Sequence, residues 1–310
     1  MKKRILFLDE VHPSLEKALT AHGFSCEQDY ISTHSEILKK IDQYFGLVIR
    51  SRIPIDKELL IKAQNLHFVA RSGSGLENID VQSAEERGIK VYSSPEGNKD
   101  AVGEHAVGML LMLFNKLNTA DAEVRKGIWL REENRGLELG SRTVGIIGFG
   151  NTGSSFAKKL SGFGCTILAY DKYKENYAPD YVKETSLEEL KEKADIISIH
   201  LPLSEETNYY VDREFIASVT SPFYLVNTAR GKQVNTADLV ESLESGKVKG
   251  ACLDVLEYEK KSLQGLENES LPEAYSRLIQ FPNVVLTPHV AGWTVESYVK
   301  LSSVLAEKII

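Results

Sequence analysis

The sequence predicts an α/β protein of two Rossmann-like or flavodoxin-like domains, each built on a parallel sheet. Three observations carry this. Short apolar runs of strand length alternate with helical stretches along almost the whole chain. One run, Val144-Gly-Ile-Ile147, turns through Gly148-x-Gly150-x-x-Gly153 into a helix and returns as Ile167-Leu-Ala-Tyr170, a complete βαβ unit. The 310 residues suffice for two domains, each able to bury its own core.

In order, residues 1–97 predict strands at Ile5–Asp9, Leu47–Ser51, His67–Arg71 and Lys90–Ser94, with helices at Pro13–Ala21 and Asp56–Ala63. Two strand ends carry polar chemistry: Arg50-Ser51-Arg52 and Arg71-Ser72-Gly73-Ser74-Gly75. Ligands of open parallel sheets bind beyond the carboxyl ends of strands. Successive N–H groups at Ser72–Gly75 could form an anion-binding concavity, and Arg50 could pair with a carboxylate or phosphate. A plain glycine turn flanked by surface arginines fits the same residues equally well. From Asn98 a helical pattern puts Val102, His105, Ala106, Met109, Leu110, Leu113 and Leu117 on one broad apolar face and continues with little breakage towards Trp129. Such a helix suits a connection between domains or a subunit interface. His105, on the apolar face, reads as a satisfied core histidine before a catalytic one.

The βαβ unit at Thr143–Asp171 predicts a dinucleotide site. Gly148 makes the tight turn, Gly150 lets the backbone approach a pyrophosphate, and Gly153 lets the helix pack on the strand. Phe149, Asn151 and Thr152 complete the turn, whose helical N–H groups face the anion. Asp171, at the end of the second strand, is placed to accept hydrogen bonds from a ribose and to repel a 2′-phosphate, favouring NAD over NADP.

Further strands follow at Ile196–Leu201, Tyr224–Thr228, Gly250–Val255 and Val284–Thr287, with a helix at Leu187–Lys193 and another capped by Asn235. Their tails are His200-Leu201-Pro202-Leu203, Asn227-Thr228-Ala229-Arg230-Gly231, Leu253-Asp254-Val255 and Pro288-His289-Val290-Ala291-Gly292. Arg230 could bind a carboxylate and the adjacent carbonyl oxygen together, or serve in a salt bridge. His289 can exchange protons near neutral pH, as oxidising an alcohol requires. Glu259 sits in an acidic stretch and would be solvated surface unless it orients a histidine. The last segment, Thr294–Ile310, predicts an amphipathic helix that returns to the first domain.

Composition narrows the partners. A net charge of −7 argues against non-specific nucleic-acid binding, so an anionic substrate must be drawn by a local basic cluster. No apolar run approaches the roughly 20 residues that span a bilayer, and the N-terminus meets Asp9 too early for a signal peptide, so a cytoplasmic location is expected. Cys26, Cys165 and Cys252 are odd in number and far apart, which favours thiols over disulfides or a metal site.

Taken together, Arg50-Ser-Arg52, Ser72-Gly-Ser-Gly-Leu-Glu-Asn-Ile-Asp80, Gly103-Glu-His105, Gly145–Gly153, His200-Leu-Pro202, Asn227–Gly231, Leu253-Asp-Val255 and Pro288–Gly292 resemble the D-isomer-specific 2-hydroxyacid dehydrogenases over nearly the whole chain. Within that family the sequence is most similar to the 3-phosphoglycerate dehydrogenases, in a short form without a regulatory domain. The resemblance implies a substrate domain of residues 1–97 and 286–310, an inserted NAD domain of residues 98–285, and an active site in the cleft between them. It implies catalytic Arg230, Glu259 and His289. Arg50, Ser51, Ser74 and Gly75 would join Arg230 and His289 around an anionic 2-hydroxy or 2-oxo acid, 3-phospho-D-glycerate first and glyoxylate or hydroxypyruvate as the alternative. Thr207, the Thr228–Arg230 backbone, Asp254 at the nicotinamide amide, and Gly292 would line NAD, no metal being needed. A homodimer is expected, with the helix after Asn98 contributing to the interface. NAD-sensing transcriptional co-repressors also resemble these dehydrogenases, and turnover would separate the two readings. The chain departs from the family pattern at Lys260, where proline usually follows the catalytic glutamate, and in the long connection Lys261–Pro282.

Overall fold

The computed structural model describes residues 3–260, 266 and 272–310. They fall into two compact units: residues up to Lys99 together with Trp293–Ile310, and Asp100–Lys260 together with residues up to Gly292. Of the longer connection expected at Lys261–Pro282, residues 261–265 and 267–271 lie outside the described residues; the remainder includes a short helix, Glu273–Leu278.

The first unit is an all-parallel sheet of β1 (Arg4–Phe7), β2 (Ser25–Gln28), β3 (Gly46–Ile49), β4 (Phe68–Arg71) and β5 (Lys90–Ser93), in the order β2-β1-β3-β4-β5. Alternation along β1 sends Ile5 and Phe7 to one face and Leu6 to the other. On the first face they meet Leu15 and Leu19 of α1 (Ser14–Ala21) and Leu305 of the C-terminal helix Val295–Ile309. Leu6 joins a second core, alongside Ile37 of α2 (His34–Ile37), Leu59 and Leu60 of α3 (Lys57–Lys62), and Ala84 of α4 (Val81–Glu85). With helices on both faces, β3 and β4 are buried throughout, which is why they read as continuous apolar runs. The edge strand β2, Ser-Cys-Glu-Gln, has no such run and gave no strand signal.

The second unit begins within α5 (Pro95–Phe114), followed by α6 (Leu117–Arg125). The single long helix expected towards Trp129 is therefore corrected. Lys116 adopts a left-handed conformation (φ 50°), which separates α5, ending at Phe114, from α6, and Trp129 lies outside both helices. The apolar face of α5 is also accounted for: Ala106, Val107, Met109, Leu110 and Phe114 lie in the unit's own core.

The second sheet comprises β6 (Thr143–Ile147), β7 (Thr166–Tyr170), β8 (Lys183–Glu184), β9 (Ile196–Ile199), β10 (Phe223–Asn227), β11 (Val248–Leu253) and β12 (Val284–Leu286). Its order is β12-β11-β10-β9-β6-β7-β8, parallel throughout. Helix α7 (Asn151–Leu160) and α5 cover one face; α8 (Leu187–Lys193), α9 (Arg213–Ser218), α10 (Thr236–Glu244) and α11 (Glu273–Leu278) cover the other. The chain direction across the sheet reverses between β6 and β9, and a crevice at such a point is where doubly wound sheets bind ligands. No helix among the described residues is long and apolar enough to cross a membrane.

Candidate active site

Four loops leave the carboxyl ends of β6, β9, β10 and β7 around that reversal. At the first, Gly148 takes φ 90°, and a Cβ on Gly153 would stand 2.1 Å from the Gly148 oxygen, so the helix can lie this close only with glycine there. Gly150 is different. Its φ is −86° and a Cβ would meet nothing within 4 Å, so no internal contact demands glycine; the open space lies beside the start of α7, whose N-cap makes no side-chain bond. A free helix start with room for an anion is the cradle a pyrophosphate needs, and Asn151 and Thr152 open that helix.

Asp171 closes β7. Its carboxylate accepts from the N–H of Phe149 at 2.9 Å and of Tyr173 at 3.1 Å, tying it to the glycine turn with acceptor capacity left for hydroxyls. His200, Leu201 and Pro202 follow β9 and are expected from the family resemblance to line the cofactor. The His200 imidazole is buried, bonds Ser198 Oγ at 2.8 Å and Thr152 Oγ1 at 3.2 Å, and is held neutral by burial, which lowers its pKa to about 3. The ring steadies the helix start from beneath, so any ligand contact here falls to its backbone and to Leu201 and Pro202. Thr207 folds the same loop by donating to the Pro202 oxygen at 2.6 Å. After β10, Asn227 bridges Ala229 N–H and Arg230 C=O, while Gln233 donates to Leu201 and Pro202 oxygens. Thr228 Oγ1 is buried with no hydrogen-bond partner among the described residues. An orphaned hydroxyl, an uncapped helix start and an open glycine fit a dinucleotide at this edge.

The candidate catalytic groups follow β10, β11 and β12, three adjacent strands. A Cβ on Gly231 would sit 2.0 Å from the Leu256 backbone, so glycine there lets the Arg230 turn approach the loop that carries Glu259. Arg230 Nη1 donates to Ala229 O at 2.7 Å. Glu259 accepts from Leu256 N–H and, through its other oxygen, meets His289 Nδ1 at 2.6 Å. Lys260, where the family has proline, is exposed and does not prevent this pairing. His289 itself is left-handed (φ 55°), a conformation that costs a non-glycine residue about 1–3 kcal/mol unless its surroundings hold it. Asp254 holds it. This carboxylate, 1% exposed, accepts from Thr287 Oγ1 at 2.6 Å, Val290 N–H at 2.9 Å and Ala291 N–H at 2.8 Å, and its carbonyl takes the His289 N–H. Asp254, implied as a nicotinamide contact, is thus a clasp for the His289–Gly292 turn, a role no local sequence signal announced.

In the first unit, the sequence-predicted groups divide. Arg52 is committed: its guanidinium donates to the Leu8, Ser32 and Asp29 carbonyls. Arg50 instead lays its guanidinium over the Trp293 ring at 4.0 Å, with no hydrogen-bond partner for it among the described residues. Burial lowers the Arg50 pKa, while Asp9, Tyr298 and Glu10 act in the opposite direction. The expected concavity is narrower than Ser72–Gly75, because the Ser72 and Gly73 N–H groups are taken by Ile49 and Arg71 oxygens. Ser74 and Gly75 remain, with Ser74 Oγ bonded to Asn98 at 2.8 Å; Ser51 follows Arg50.

Comparison with known proteins identifies the family. The profile of the family described as "D-isomer specific 2-hydroxyacid dehydrogenase, NAD binding domain" matches residues 107–291. A hydroxypyruvate reductase of Thermotoga maritima is 38% identical over 88% of this chain and 86% of its own. A D-3-phosphoglycerate dehydrogenase of Archaeoglobus fulgidus is 31% identical over 99% of this chain, which spans only 56% of that longer protein. The crystal structure of a D-lactate dehydrogenase from Aquifex aeolicus, complexed with NAD and lactic acid, superposes with a TM-score of 0.84 at 27% identity, covering 99% of this chain and 94% of that one.

Proposed function

Since the chain belongs to the D-isomer-specific 2-hydroxyacid dehydrogenases, a family of NAD-dependent oxidoreductases, we propose that it interconverts a small D-2-hydroxy acid and its 2-oxo acid, hydroxypyruvate being the favoured oxo acid. The observation that carries this reading is the His289–Glu259 pair at 2.6 Å. With Nδ1–H given to Glu259, His289 Nε2 keeps a lone pair and can take the substrate hydroxyl proton during oxidation, returning it during reduction. Arg230 holds the substrate carboxylate and polarises the C2 oxygen. Bound NAD supplies the acceptor for the hydride that leaves C2. The Gly148–Gly153 turn would hold its pyrophosphate and Asp171 its ribose, with Leu201, Pro202, Thr207, Thr228, Ala229 and Gly292 along it. A cytoplasmic location belongs to the same proposal.

Asp171 gives the first prediction. Lys172 and Lys174 flank it, and Lys174 Nζ lies 4.0 Å from its carboxylate. Asp171→Ala removes the repulsion and leaves the cations, so the ratio of specificity constants for NADH over NADPH should fall by about tenfold or more. A wild-type protein that uses NADPH equally well would remove Asp171 from this role.

The favoured substrate follows from counting cations. Of the pair Arg50 and Arg52, Arg52 is committed to three carbonyls, so a distal phosphate dianion would gain one guanidinium from this loop rather than two, and it would meet the acids Asp9 and Glu10 that act on Arg50. The second reading, 3-phosphohydroxypyruvate, is favoured by the guanidinium left without a hydrogen-bond partner over Trp293. Arg50→Ala assayed on both acids separates them. We expect similar losses of about tenfold in kcat/KM, as for a charge-assisted bond to a shared carboxylate. A loss confined to the phosphorylated acid would establish the second reading.

The exposed apolar residues Leu117, Val124, Ile128, Trp129 and Leu130 supply the surface for a homodimer, Trp129 being 75% exposed. Sedimentation at micromolar concentration should give twice the 34.6 kDa chain mass, and Trp129→Glu should shift it towards monomer. A monomeric wild type would end this proposal.

A further inference from the structure

His105 is singled out by the sequence and unused by the chemistry above. Its segment of α5 is fixed from the opposite face of the helix: Gly103 meets α7 with a Cβ that would stand 3.0 Å from Ser155, and Glu104 pairs with Lys159 at 2.8 Å. These contacts turn His105 towards the carboxyl end of β12, where Nε2 lies 3.0 Å from Thr287 Oγ1 and 3.6 Å from Asp254 Oδ1.

The direction of each hydrogen bond can be assigned. Asp254 Oδ1 already receives the Val290 N–H, and a carboxylate oxygen can only accept, so the Thr287 hydroxyl proton points to Oδ1 across 2.6 Å. The remaining acceptor side of that hydroxyl faces His105, whose Nε2 must then carry a proton and donate it. The Met109 sulfur, 3.8 Å from the same oxygen, closes the site on a further side. The chain of donors runs from His105 to Thr287 to Asp254, and Asp254 bonds every part of the turn bearing His289: the hydroxyl before it, its own N–H, and the two N–H groups after it.

We propose that His105 is a positioning residue for the reaction, fixing the Thr287 hydroxyl on Asp254 and thereby the left-handed turn that aims His289. The proposal rests on the reading of His289 as the proton-transfer group. His105 does not touch the reacting atoms; it removes freedom from the group that does. Without its donor, the Thr287 hydroxyl can rotate away from Asp254 Oδ1, and the turn loses one of the bonds that oppose its relaxation to an ordinary conformation.

The test uses the full-length protein, NADH, and whichever of hydroxypyruvate, glyoxylate and 3-phosphohydroxypyruvate the wild type reduces fastest. Thr287→Val and His105→Phe should each lower kcat about ten- to hundredfold, the scale of a small displacement of a catalytic group, with KM and the fluorescence-measured Kd for NADH within about twofold of wild type. Thr287→Ser, which returns the hydroxyl, and His105→Gln, which returns an N–H donor, should recover most of the lost turnover. Undiminished kcat in both Thr287→Val and His105→Phe would overturn the proposal, as would a loss that follows NADH affinity and persists in Thr287→Ser. If Thr287→Val fails to fold by thermal melt, the His105 pair decides alone. His289→Gln run in parallel separates the premise from the proposal: retained turnover there overturns both, whereas lost turnover there with undiminished His105→Phe overturns the positioning role only.

Discussion

His289→Gln is expected to lower kcat by about a hundred- to ten-thousandfold, the usual contribution of a positioned general acid–base, while the Kd for NADH stays near the wild-type value. Glutamine preserves bulk and polarity at the turn, and Asp254 binds that turn through backbone groups and Thr287 rather than through the imidazole, so the fold around position 289 should persist. Glu259→Gln should lose less, because its amide oxygen can still accept from Nδ1, but it gives up the bond from the Leu256 N–H and removes the charge beside the ring. Single-turnover reduction of a 2-oxo acid checks both. A His289→Gln protein that keeps most of its kcat would show that the proton comes from elsewhere.

Arg230→Lys is the second large effect. The guanidinium is planar and offers two parallel donors, one set for a carboxylate and an adjacent carbonyl oxygen; an ammonium offers a point charge and no such plane. Loss of transition-state stabilisation at the C2 oxygen should cost about a hundred- to thousandfold in kcat, and loss of carboxylate binding should raise KM as well. Steady-state kinetics that show only a raised KM would confine Arg230 to binding the acid.

The readable parts of the fold are those with local causes. Val144, Ile146 and Ile147 are buried on both faces of a parallel sheet, so their apolar run marks a strand without reference to anything distant. The glycine spacing at 148, 150 and 153 likewise records contacts within one turn and one helix. Asn235, which caps α10 by accepting from Asp238 N–H, is legible for the same reason. What escaped the sequence depends on contacts between distant segments. Arg50 and Arg52 are two residues apart and chemically identical, yet Arg52 meets three carbonyls from Leu8, just after β1, and from the loop after β2, whereas Arg50 meets Trp293 from the far end of the chain. Residue type cannot tell them apart. Asp254 reads as one more polar strand end until four groups of the Thr287–Ala291 turn are seen around it. The break at Lys116 was invisible because a left-handed lysine has no compositional mark, unlike the glycine that usually fills such a position.

The most direct measurement is NADH oxidation by the purified protein with glyoxylate, pyruvate, hydroxypyruvate and 3-phosphohydroxypyruvate, followed by the reverse reaction with the D and L hydroxy acids. Hydride transfer at the site of Arg230, Glu259 and His289 predicts saturable turnover with at least one 2-oxo acid and a strong preference for the D enantiomer in reverse. Tight NADH binding without turnover on any of the four acids would contradict it and would leave a protein that senses the cofactor without using it.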